Sequence, residues 1–216
     1  MSTKLKIAAA VAAAVLLSAC SSPKHEPMPL VKFTPSMEVT EVWSKGLSSA
    51  EGFLVPAVYD DMVFAAGGKT LTRLNARTGE TEWSVSFNSP ITGGVGSDGY
   101  VTAVGLWDGN LEVVDAEGKV SWEKKLTTEL ASPPVVSHGL VIARTMDTRV
   151  SAFEASSGEL QWTYQRSQPA LTVRLPTRML AHDNFLLVGQ PNGHIVILDI
   201  ASGKPMFEFQ VAQAKG

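Results

Sequence analysis

The chain has one cysteine, Cys20, in "LLSAC", so its chemistry is narrowly bounded. A lone thiol has no partner for a disulfide and is too little for a metal site, which leaves nucleophilic attack by the thiolate. The other candidate groups offer less. His25, His138, His182 and His194 are too scattered for a ligand set, and three lie in or beside turn signals, which predicts solvated turn histidines. Asp60 and Asp61 are adjacent, so a strand would point them to opposite faces and a turn would leave both in water; neither arrangement makes an acid–base pair. "GGKT" at Gly67 has the end of a phosphate-binding loop, but the glycine required five residues before Gly68 is Val63. No catalytic residue, metal or cofactor is expected.

The surroundings of Cys20 give its thiolate a task. Lys4 and Lys6 precede "IAAAVAAAVLL", an apolar run of 11 residues. That is too short to span about 30 Å of hydrocarbon, which takes roughly 20 residues, so residues 1–19 read as an export signal. A thiol left over in a cleaved signal is the plain alternative. With Leu17, Ser18 and Ala19 before the cysteine, however, the segment resembles a complete bacterial lipobox, in which the thiolate takes a diacylglycerol. Two acyl chains, each stabilised by about 0.8 kcal/mol per buried CH₂, hold a protein on a bilayer where one does not. Ser21 stands where an Asp would be the usual inner-membrane retention signal, so the resemblance implies the outer membrane.

Beyond the cysteine, residues 20–38 carry four prolines among the seventeen after Cys20 and no apolar periodicity, which predicts an extended tether; the folded part is expected over 39–216. Loss of residues 1–19 removes two lysines and no acid, leaving 16 basic against 21 acidic side chains. That mild acidity offers no basic field for nucleic acid.

The elements that would position any site are legible as a repeat. Trp43, Trp83, Trp122, Trp162 and Phe207 are spaced 40, 39, 40 and 45 residues apart, and Gly79, Gly118, Gly158 and Gly203 each stand four residues before an aromatic. Two further turn signals recur in each unit: "YDD", "SDG", "SHG" and "HDN", then "GGK", "WDGN", "DTR" and "PNG". Three turns imply four strands, and between them lie short β-rich runs such as "MVFAA" and "HIVILD". Four-stranded antiparallel units of about 40 residues are the sequence form of an all-β fold, the β-propeller. The recurrent aromatic is then expected on the outermost strand, filling the wedge between blades.

Two irregularities stand out. From Trp162 to the next first-turn residue, Asp183, is 21 residues, where the earlier units take 15 and 16, so about five extra residues lie in "QRSQPALTVRLPTRM". Such inter-blade loops lie on a rim, where insertions serve binding. Trp43 resembles the last strand of a unit whose first three strands do not precede it. A four-bladed ring with an odd start is one reading; a partial propeller, the front half of a larger one, is the expectation adopted.

The segments "LTRLNARTGETEW", "LEVVDAEGKVSW", "VSAFEASSGELQW" and "IVILDIASGKPMF" resemble the PQQ-like (quinoprotein-type) propeller repeat. Together with the lipobox, they make the chain from Cys20 onward similar to the BamB family of outer-membrane assembly-factor lipoproteins. That resemblance implies a non-enzymatic scaffold, eight-bladed in full length, lipid-anchored at the periplasmic face of the outer membrane of a Gram-negative bacterium. It also implies binding to the POTRA domains of BamA, contact with other barrel-assembly components, and help to unfolded outer-membrane clients. The family's docking segment, L-x-L-R in an inter-blade loop, matches Leu171, Val173 and Arg174, with Val for the second Leu. Its second contact, an acidic stretch in a later blade, has no counterpart here.

Two other classes share the repeat. A PQQ-dependent dehydrogenase needs metal-binding acids, a catalytic Asp and often a cysteine pair, and this chain has no cysteine to spare. An envelope propeller binding polysaccharide or another protein is the third reading.

Overall fold

The computed structural model describes residues 36–48, 54–166, 177–191 and 193–211. The chain divides into two units, Met1–Thr40 and Glu41–Gly216. Of the first, residues 36–40 are exposed and take no helix or strand.

The second unit is all-β among its described residues, in four four-stranded antiparallel sheets. The first contains β1 (Ala57–Tyr59), β2 (Met62–Gly67), β3 (Thr70–Asn75) and β4 (Thr81–Ser86). The second contains β5 (Ile91–Ser97), β6 (Thr102–Leu106), β7 (Asn110–Val114) and β8 (Val120–Lys125). The third contains β9 (Val135–Ser137), β10 (Leu140–Arg144), β11 (Val150–Glu154) and β12 (Leu160–Tyr164). The fourth contains β13 (Leu180–His182), β14 (Phe185–Gly189), β15 (His194–Asp199) and β16 (Pro205–Gln210). Strand order follows the chain in each sheet, and the first strands of successive sheets lie side by side, β1 with β5, β5 with β9 and β9 with β13. The expected propeller blades are therefore present, each starting at the inner edge and ending on an outer strand.

The core lies between blades. Phe64 and Leu71 of the first meet Val104 and Leu106 of the second; Leu111 and Val113 of the second meet Val141 and Phe153 of the third; Ile142 and Ala152 of the third meet Leu186 and Leu198 of the fourth. Interior strands of the second and third blades are sandwiched and bury both faces, as in β6, where every residue is buried, whereas β14 and β15 of the fourth bury alternate residues. The outer strands β4, β8 and β16 carry no fully buried residue.

Candidate functional site

The four outer strands enter their aromatics through one device, a β-bulge, which in the first, second and fourth blades follows an Asx-type turn. In the first of these turns the Asn75 carboxamide oxygen accepts from the Arg77 and Thr78 amides, and in the second the Asp115 carboxylate accepts from those of Glu117 and Lys119. The register then slips by one residue, so that Arg73 pairs Trp83 but Leu74 pairs Thr81, with Glu82 bulged out. Equivalent bulges precede Trp122, Trp162 and Phe207. A bulge re-aims the side chain that follows it, and here it turns the indole toward the next blade.

Each tryptophan lies against the turn of the following unit. Trp43, Trp83, Trp122 and Trp162 donate Nε1–H to the carbonyls of Ala76, Ala116, Ala155 and Ile200 at 2.8–2.9 Å. Their rings cover Gly79, Gly118, Gly158 and Gly203, where a Cβ would stand only 2.4–2.8 Å from the nearest ring carbon. The glycine before one aromatic thus serves the aromatic of the unit before. Arg73 adds to the first junction, donating from Nη1 to Ala116 O at 3.0 Å while its guanidinium lies 5.8 Å from the Phe64 ring centroid. Phe207 is 55% exposed, stacked on Phe209.

One step along the outer strand from each aromatic, on the opposite face, is a cross-strand pair whose chemistry changes from blade to blade. It is Thr72 with Ser84 in the first blade, hydroxyls 3.1 Å apart, and Ser151 with Thr163 in the third, 3.3 Å apart. In the second it is Glu112 with Glu123. Burial of Glu112, with Glu123 beside it and Asp108 further off, pushes its carboxyl up to about 7. In the fourth it is Val196 with Glu208, whose carboxylate takes Arg166 Nη1 at 2.5 Å and His194 Nδ1 at 2.6 Å. Arg166 foremost, and His194 with it, hold Glu208 below the usual carboxylate range.

Leu171, Val173, Arg174 and Cys20 lie outside the described residues. What is described is the flanks of the 167–176 segment: Arg166 bound across the junction to Glu208, and Thr177, whose hydroxyl accepts from Arg144 Nη1 at 2.6 Å. Arg144 is buried, which depresses its guanidinium's affinity for a proton. The histidines divide. His138 occupies a turn and His182 ends β13 beside one, whereas His194 opens β15 and is bonded to Glu208, so the expectation of a solvated turn does not hold for it; His25 lies outside the described residues. Asp61 pairs with Arg77 in water, and Gly67 to Thr70 form a hairpin.

Residues 67–216 match the family model described as outer membrane protein assembly factor BamB. The chain belongs to the BamB family. It is 36% identical to the outer membrane protein assembly factor BamB of Burkholderia pseudomallei over 96% of this chain and 56% of that protein. The crystal structure of BamB from Moraxella catarrhalis superposes with a TM-score of 0.67 at 28% identity, over 76% of this chain and 50% of the other. A quinohemoprotein alcohol dehydrogenase of Pseudomonas putida shares the fold, with a TM-score of 0.59 at 19% identity, over 76% and 34% of the two chains. The chain spans about half the length of the curated BamB relatives it matches.

The junction pairs were not legible in the sequence. Glu112 alternates with Leu111 and Val113 and reads as a solvent-facing strand residue. A usable signal is the register itself: counting one position past each aromatic yields Ser84, Glu123, Thr163 and Glu208, a row whose divergence the aromatics mask.

Proposed function

We propose that the chain acts as a non-catalytic scaffold of the outer-membrane β-barrel assembly machinery, anchored through Cys20 to the periplasmic face of the outer membrane. It binds the POTRA domains of BamA through Leu171, Val173 and Arg174 and aids insertion of barrel clients. The observation that carries this reading is the family match over 67–216. It is supported by the lipobox around Cys20 and by the position of 167–176 in the chain, after β12 of one blade and before β13 of the next. Two branched apolar side chains beside an arginine are the usual make-up of an interface hot spot, the apolar pair desolvating and the guanidinium fixing orientation.

The test is a pull-down from detergent-solubilised envelopes with the longest chain its gene encodes, tagged at the C-terminus, beside an Arg174→Glu form. BamA is expected with the wild type and lost from the variant. Absence of BamA from both, with both folded, overturns the reading. A Cys20→Ala form is expected in the soluble periplasmic fraction; if it stays with the membranes, the anchor is elsewhere.

A further inference from the structure

The four blades place equivalent residues at each junction, and one junction lacks what its neighbour has. Arg166, Glu208 and His194 close the slot between the third and fourth blades. Counted from the docked aromatic and its cross-strand partner, the same places between the second and third blades are Leu126, Thr163 and Arg149. The acid has become a hydroxyl and Arg166 has become Leu126, while a permanent cation, Arg149, stands in the place of His194.

The Arg149 amide donates to Asp147 at 3.4 Å, but its guanidinium reaches that acid only as a long ion pair. Its Nε is buried without a hydrogen-bond partner. The neighbouring Asp147 stands 3.7 Å from that Nε and is occupied by the Thr127 and Thr145 hydroxyls. Burial alone would raise the Asp147 carboxyl, but the Thr145 and Thr127 hydroxyls, with the Arg149 amide and charge after them, hold it below its ordinary value. The slot is also open, a cavity of about 240 Å³ floored by Ala143, Phe153 and Leu126, with Lys124 and Arg149 at its sides and no acid among its lining residues. The turn that presents Arg149 is strained: Thr148 has φ 68°, where the other three blades place Gly68, Gly109 and Gly193. Strain of this kind in a β-branched residue collects at functional positions.

We propose that the slot between the second and third blades binds a carboxylate on a short aliphatic stem, the group that Glu208 supplies from within the chain at the next junction. The Arg149 guanidinium and the Lys124 ammonium take the carboxylate, the Thr163 hydroxyl donates to it, and Phe153 and Leu126 cover the stem. The volume is below the range of whole-cofactor sites, about 300–1,000 Å³, and suits a single such group. A free small dicarboxylic acid and a glutamate side chain of an extended polypeptide both carry this chemistry.

The test is titration of the full chain with glutarate, with the peptide acetyl-Ala-Glu-Ala-amide and with uncharged glutaramide, following the Arg149 Nε–H resonance. Saturable, salt-sensitive shifts are expected with the acids and none with glutaramide. Tighter binding of the peptide assigns a polypeptide source, tighter binding of glutarate a small acid, and either upholds the site. Arg149→Gln is expected to weaken binding about tenfold or more, the loss of one charge-assisted contact. Thr163→Glu rebuilds the neighbouring slot's internal acid and is expected to abolish binding while raising the unfolding midpoint. Equal shifts with glutaramide, or undiminished binding by a folded Arg149→Gln protein, would overturn the proposal. So would undiminished binding by Thr163→Glu, or no response to either acid up to about 50 mM.

Discussion

Alanine at Gly158 and alanine at Gly139 make a controlled pair. Both glycines sit in the left-handed region, at φ 70° and 71°. A Cβ there costs about 1–2 kcal/mol in either case. At Gly139 the added methyl meets nothing within 4 Å, whereas at Gly158 it would stand 2.8 Å from Trp122 Cδ2. That ring has little room to retreat, being bonded to Ala155 O at 2.8 Å and tilted against Phe153 at 6.1 Å between centroids. Overpacking of this kind adds about 1–3 kcal/mol. Gly139→Ala is therefore expected to cost about 1–2 kcal/mol and Gly158→Ala about 2–5. Urea unfolding of the purified protein measures both, and a Trp122→Leu background should bring the Gly158→Ala cost down toward that of Gly139→Ala. If the two substitutions cost the same to within about 0.5 kcal/mol, the limit of additivity between sites, the docked ring is not what demands glycine there.

Two further outcomes follow from the same geometry. Thr148→Gly is expected to stabilise by about 1 kcal/mol, since relief of the positive φ exceeds the added backbone entropy of glycine, and the buried, unpartnered Thr148 hydroxyl is removed as well; an unchanged unfolding midpoint counts against the strain. Glu112 titrates at about 7 when folded against an ordinary 4.5, so the folded state holds the extra proton. Stability therefore falls as pH rises from about 4.5 to about 7 and is level above that, by about 1–3 kcal/mol after screening at the exposed Glu123. Glu112→Gln should flatten that slope and be the more stable form at pH 8; a parallel pH profile for wild type and variant would show that folding does not hold the Glu112 proton.

Much of the fold could be read in advance because its period is carried by large, rare residues. Tryptophan at intervals near 40 and glycine four positions earlier are hard to produce by chance, and turn signals between them count out the strands. What the pattern of residue types does not carry lies in the backbone and its register. The partner of each indole is a carbonyl 33 or 38 residues away, and a backbone oxygen leaves no mark in a sequence. The bulges are equally silent, since any residue type serves; Glu82, Ser121, Gln161 and Met206 occupy them. Alternation misleads at Glu112 because an interior blade has no solvent face. Phe207 shows the converse. It reads as one more docked aromatic, yet no turn among the described residues receives it, and it lacks the N–H that the four tryptophans use.

The forward reach of each indole bears on how such a gene can change in length. Unequal recombination between two copies of the unit adds or deletes one whole period wherever the crossover falls, and every remaining tryptophan then still finds a glycine turn ahead of it. Blade number is in that respect free to drift. Blade order is not. Excising the third unit would set Leu126 where Arg166 now stands and leave Glu208 with His194 alone, so the copies are interchangeable at their aromatics and individual at their slots.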